Sequence, residues 1–104
     1  MPKQHYYMKL IPPRPSFAQD ANAEELAIMK QHADYFYEQF RVGRVLLYGP
    51  VLARDGTFGV GILEVESEAE ARVFGENDPS VLAGLNRFEI SPMRVTGARG
   101  KDEQ

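Results

Sequence analysis

The sequence predicts an α+β fold in which the elements run strand, helix, strand, strand, helix, strand around a four-stranded antiparallel sheet. Three observations carry that expectation. Ala23 to Phe40 places Leu26, Met29, Ala33, Phe36, Tyr37 and Phe40 at helical spacing. Two apolar runs flank an Asp55-Gly56 turn in the manner of a β-hairpin. A second capped helix then leads into a last apolar run, Arg87 to Val95.

The first strand is HYYMKLI, His5 to Ile11, rich in aromatic and apolar residues and stopped by Pro12 and Pro13, which have no N–H for a sheet ladder. The connection over residues 12–21, PPRPSFAQDA, is stiffened by prolines and longer than most, and connections of that length often cover a site. Asn22 with Glu25 makes a capping box that opens the long helix, and Gly43 stops it. RVLLYGPVL, Arg44 to Leu52, and TFGVGILEV, Thr57 to Val65, form the hairpin, with Pro50 marking a sheet edge. Ser67 with Glu70 reads as a second capping box, for a helix ending near Phe74 or Asn77. Asp78 caps a short helical turn with Pro79 at its first position. This order is the ferredoxin-like split βαβ arrangement. A single domain over residues 1–96 is expected, followed by a flexible polar tail, 97–104.

Two helices cover one face of such a sheet, and the other should be polar in a monomer. It is not. Alternation puts Val45, Leu47 and Val51 on one side of the second strand and Leu46, Tyr48 and Leu52 on the other. In the third strand Phe58, Val60 and Ile62 oppose Leu63 and Val65. A sheet apolar on both faces needs a second cover, and a second copy packed sheet to sheet supplies it. A homodimer through the sheet face is expected.

Composition narrows the function classes. In 104 residues, 43% hydrophobic and 26% charged, there is enough apolar surface for one core. The net charge of −3, with no basic run, argues against nucleic acid as a partner. The absence of cysteine removes disulfides, thiolate nucleophiles and thiolate zinc sites, and suits a reducing cytoplasm. The opening MPKQHYYMKLIPPRP resembles neither a secretory signal nor a membrane span, so a cytoplasmic protein without membrane contact is expected. His5 and His32 lie on different elements with no third ligand at metal spacing, and FGVGILE does not lead from a glycine loop into a helix, so neither a metal nor a dinucleotide cofactor is expected.

His32 falls about 80° from the centre of its helix's apolar stripe, taking 100° per residue, and so sits half-buried at the margin. That position suits a general base tuned by one oriented hydrogen bond. It also suits a packed histidine bonded to a carbonyl, the reading that spacing alone favours. Asp78 is explained by its cap alone. Arg14, in the proline-rich connection, could pair with a carboxylate or phosphate or be solvated. Tyr35 and Tyr48 could donate phenolic hydrogen bonds or belong to the core.

Taken together, QHADYFYEQFRVGRVLLYGPV, a glycine-bearing hairpin, SEAEARVFGENDPSVLAGL and FEISPMRV resemble the YCII-like (YciI-related) domain family. The resemblance runs from about His5 to Val95. It is carried by His32 and Tyr35, Gly43, Gly49-Pro50 and Asp78-Pro79, in that order. It implies a dimeric α+β barrel and a catalytic pair made of His32 and Asp78, in which Asp78 orients the ring. The implied chemistry is cofactor-independent proton transfer on a small cyclic or carbonyl-activated molecule; in an enzyme of that kind Arg14 or Tyr48 is expected to steady an anionic or enolic group. A non-catalytic small-molecule-binding or interaction dimer is the alternative. Ser80 stands where the family often has an aromatic, which implies an altered pocket wall.

Overall fold

The computed structural model describes residues 3–100. Its elements are β1 (Gln4–Ile11), α1 (Phe17–Asp20), α2 (Ala23–Arg41), β2 (Val45–Ala53), β3 (Gly56–Val65), α3 (Glu68–Glu76), α4 (Pro79–Leu82) and β4 (Arg87–Met93). All strand pairs are antiparallel and the sheet order is β2-β3-β1-β4, the ferredoxin-like arrangement that the element order predicts. Pro50 lies on the edge strand β2, where a missing N–H costs least. The irregular segment after Met93 runs through residue 100, and the rest of the expected tail, 101–104, lies outside the described residues. Among the described residues no helix is long and apolar enough to cross a membrane.

Local signals set the helix ends. Asn22 accepts from the Glu25 N–H at 2.8 Å and Glu25 accepts from the Asn22 N–H at 2.9 Å, so the first capping box is reciprocal. The second is not. Ser67 accepts from the Glu70 N–H at 3.1 Å, but the Glu70 carboxylate reaches past the cap to the Glu66 N–H at 3.0 Å. Gly43 follows α2 at φ +93°, a left-handed conformation that ends a helix without strain only at glycine. The hairpin turn is Arg54-Asp55 rather than Asp55-Gly56, because Gly56 already pairs with Ala53. At φ +137°, its α-hydrogen leaves room for Pro15, whose backbone lies 3.1 Å from where a β-carbon would be.

The inner sheet face carries Tyr6, Met8 and Leu10 of β1 beside Val45, Leu63 and Val65, and packs on Phe36 of α2 and Ala71 and Phe74 of α3. Each large side chain so buried stabilises the fold by about 1.5–3 kcal/mol. α2 and α3 meet through an edge-on contact of Phe36 and Phe74, ring centres 5.1 Å apart. Within α2 only Phe36 is buried; Leu26, Tyr37 and Phe40 are exposed.

The faces of β2 differ from simple alternation. A bulge between Val45 and Leu47 adds one residue, so Val45 faces inward opposite Leu63 while Leu47 opposes Ile62 on the outer face. Val45 and Tyr48 therefore share the inner side, and Leu47 and Val51 share the outer one. On β3 the expected split holds, with Leu63 and Val65 buried inside and Phe58, Val60 and Ile62 outside. The outer face is apolar over β2 and β3, where Leu47 is 53% exposed, and becomes polar at Arg87, Glu89 and Ser91 of β4.

Gly75 in α3 is required by close packing: a β-carbon there would lie 2.5 Å from the Phe88 ring. Gly75→Ala gains about 1 kcal/mol of helix propensity, but the overpacking costs about 1–3 kcal/mol, so a net loss is expected. Thermal unfolding should show a midpoint lowered by several degrees, since about 1 kcal/mol moves it by about 4–8 °C in a domain this small. An unchanged or higher midpoint would contradict the packing.

Candidate active site

The turn between α3 and β4 is built around Asp78. Pro79 presets the first residue of α4, and Asp78 caps it by accepting from the Ser80 N–H at 2.8 Å. The same oxygen, Oδ1, accepts from the Ser80 hydroxyl at 2.9 Å. Oδ2 lies 2.8 Å from Nδ1 of His32, across from the middle of α2. Asp78 is 0% exposed, and these three donors are what compensates a carboxylate removed from water. Sequence distance hides this meeting, because the two residues are 46 positions apart.

A carboxylate only accepts, so it is the Nδ1–H of His32 that donates to Asp78. The ring also packs on Phe36, with centres 4.9 Å apart. Its side chain keeps 18% exposure, and that exposure faces a cavity of about 410 Å³ between α2 and the sheet. His32 is thus at once the half-buried histidine of the helix margin and the carboxylate-oriented one; the hydrogen-bond partner is a side chain, not a carbonyl.

Where β3 lines the cavity it carries glycine on its inner face, and both glycines allow close packing. A β-carbon at Gly61 would stand 3.0 Å from the Phe36 ring, and one at Gly59 would stand 3.2 Å from Cβ of Leu10. The walls are apolar: Leu10, Met29, Phe36, Tyr48 and Pro50, with Phe17, Ala18 and Ala21 supplied by the proline-rich connection. That connection contains the one-turn helix α1, which no periodicity announces, and it forms one side of the cavity.

Tyr48 stands at the cavity wall with its ring 5.5 Å from Phe36 and 5.6 Å from Phe40. Tyr35 does not reach the cavity. It donates to the Phe74 carbonyl at 2.8 Å, bracing α2 against α3, and burial together with the Asp78 charge pushes its phenol up to about 12. Arg14 is not brought to His32 and Asp78 either. Its guanidinium donates to Asp20 at 2.8 Å and to both oxygens of Glu25 at 2.8 and 3.0 Å, and lies over the Phe17 ring at 5.3 Å. The hydrogen bonds from Arg14 and from the Asn22 N–H hold the Glu25 carboxyl down at about 2, while Ser16 and then Arg14 lower Asp20. Arg14 therefore ties the connection to the start of α2 and steadies Phe17 at the cavity wall.

Ser80 forms no pocket wall. It is wholly buried and holds Asp78. The cavity residue that sequence reasoning missed is Asn86, just before β4. It is 4% exposed and donates through Nδ2 to the Met29 sulfur at 3.4 Å, while its Oδ1 is buried without a partner among the described residues. An asparagine ahead of a strand reads as a turn former, and nothing in its spacing points inward. Among the described residues no three His, Cys, Asp or Glu side chains gather as a metal site, and His5 is paired with Glu64 at 3.0 Å on the outer sheet face.

Replacing Asp78 removes a helix cap and strands three donors, whereas replacing Ser80 removes one hydroxyl hydrogen bond. In urea unfolding, Asp78→Ala should lose about 3 kcal/mol and Ser80→Ala about 1 kcal/mol. Equal losses would show that the carboxylate is not the centre of this network.

No curated protein matches the chain in sequence. Among solved structures, 5-chloro-2-hydroxyhydroquinone dehydrochlorinase (TftG) from Burkholderia phenoliruptrix AC1100, in complex with 2,5-dihydroxybenzoquinone, is similar in fold. The TM-score is 0.61 at 24% identity, covering 90% of this chain and 96% of that one. The model of the YCII-related domain matches residues 5–94, from the start of β1 to just past β4. The chain belongs to the YCII-related domain family.

Proposed function

We propose that this protein is a cofactor-independent enzyme of the lyase or isomerase type, in which His32 is the general acid/base and Asp78 orients it. The observation that carries this reading is the 2.8 Å contact of His32 Nδ1 with a wholly buried carboxylate, on a ring that faces a cavity. Nε2, on the far side of the ring from Asp78, takes a proton from a carbon or hydroxyl of a small molecule. The electron pair left behind forms a new double bond. A leaving group departs with its own pair in an elimination, or the proton returns at another atom in an isomerisation. Asp78 stabilises the imidazolium in between and keeps the neutral ring in the tautomer with a free Nε2. The Tyr48 phenol, at the same wall, donates to oxygen charge that develops during the step.

The dehydrochlorinase supports the class, since an elimination of chloride from a hydroxylated ring is what its name states. A cavity of about 410 Å³, near the small end of ligand pockets, suits a single ring. The test is direct. Chlorinated and hydroxylated hydroquinones are offered, 5-chloro-2-hydroxyhydroquinone first, and chloride release and ring absorbance are followed. Turnover should fall by about 10²–10⁴-fold in His32→Gln and clearly in Asp78→Asn. Full turnover in His32→Gln would remove the general base. Ring binding without turnover by the unaltered protein would favour the non-catalytic binding module.

The outer sheet face, exposed and apolar at Leu47 and Val51 and half-buried at Val60, is proposed to pair with a second copy of the chain. Light scattering at micromolar concentration should give twice the chain mass, and Leu47→Glu should give a folded monomer. A monomeric unaltered protein would remove the dimer.

A further inference from the structure

Asn86 has no role in the proton transfer described above, yet among the described residues its side chain carries a buried polar atom that is not satisfied. Its Oδ1 is buried without a partner, and its Nδ2 has only a thioether sulfur, a weak acceptor, at 3.4 Å. A thioether sulfur has no hydrogen to donate, so it is Nδ2 that stands toward Met29. An unpaired carbonyl in a native interior calls for an explanation, and sites that hold a ligand are where such groups collect.

The backbone around it is firmly held. The Asn86 N–H donates to the Ser80 carbonyl at 3.1 Å and the Leu85 N–H to the same carbonyl at 3.0 Å, while Ser80 itself holds Asp78. Asn86 is thereby rooted in the turn that positions His32. Its side chain meets Met29, one turn of α2 before His32, so Asn86 and His32 line the same cavity about one helical turn apart. A loosely bonded amide on a rigid backbone, with a terminal torsion that turns easily, suits recognition of a group that arrives with a ligand.

We propose that Asn86 is a specificity-determining residue of this cavity, its carbonyl accepting a hydrogen bond from a hydroxyl or N–H carried by the bound ring. The inference rests on the reading of the cavity as a small-molecule site. It makes the preferred ligand a flat ring bearing at least one donor, and it explains why an amide and not an aliphatic side chain faces Met29. A site built to bond a hydroxyl discriminates strongly against the analogue without one, because the protein group is then left unpaired.

Phenol and toluene, similar in size, test this when titrated into the full chain and followed by amide chemical shifts. The unaltered protein should bind phenol at least about tenfold more tightly than toluene. Asn86→Leu, which keeps the shape and removes both polar atoms, should bind the two alike and retain its affinity for toluene. A phenol preference that survives in Asn86→Leu would assign the hydroxyl to another group, and equal binding of both rings by the unaltered protein would leave Asn86 nothing to read. Either result overturns the inference and leaves the cavity reading in place. Binding of neither ring overturns both. Asn86→Ala serves if Asn86→Leu does not fold, and failure of both to fold would assign the amide to the fold and overturn the inference.

Discussion

The carboxylate of Asp78 has no water to turn to, and the geometry on the cavity side of the molecule follows from how its two oxygens are satisfied. One oxygen closes the turn from α3 into α4 through Ser80; the other reaches α2 through His32. A single side chain thus joins a cap that is local in sequence to a contact that is distant in it. Removal of either partner would leave the other polar group buried and unpaired, which is the costly direction of the hydrogen-bond balance. The ring of His32 is consequently held from two sides, by a carboxylate at its edge and by Phe36 at its face.

A second polar cluster does the corresponding work at the N-terminal end of α2. Glu25 caps the helix and receives Arg14, so one carboxylate both starts α2 and anchors the proline-rich connection. Arg14 in turn lies over Phe17, which closes the cavity on that side. Gly59 and Gly61 line it on the sheet side. The hollow beside His32 is therefore bounded by apolar walls that two polar clusters hold in place.

How much of this was legible in the sequence depended on the range of the interaction involved. Caps are local, and Asn22 with Glu25 and Asp78 with Pro79 identified their helices correctly. Sheet order followed from the order of elements. The β2 bulge was not legible, since its extra residue is defined by the partner strand and LLY alternates as well in either frame. α1 was missed because four residues have no periodicity and are held by Ser16, Asp20 and the burial of Phe17. Within the site, spacing located His32 on a helix margin and capping explained Asp78, but only the family resemblance paired them. Pairing of Arg14 with a carboxylate was one of the options its loop offers, but nothing local in the sequence says that Asp20 and Glu25 converge on it. Asn86 and the cavity glycines carried no signal, as burial in a cavity is a property of the assembled layers.

The bulge at Leu46 also works as a frameshift inside a single strand. Upstream of it the chain is read in one phase by the core, through Val45; downstream it is read in the other, so that Tyr48 serves the cavity and Leu47 and Val51 serve the outer face. Lineages that gained or lost one residue here would exchange the two sets of side chains in one step, a drastic event. Point changes beyond the bulge, by contrast, alter one face without touching the other. The strand can therefore evolve its cavity and its outer surface as separate traits.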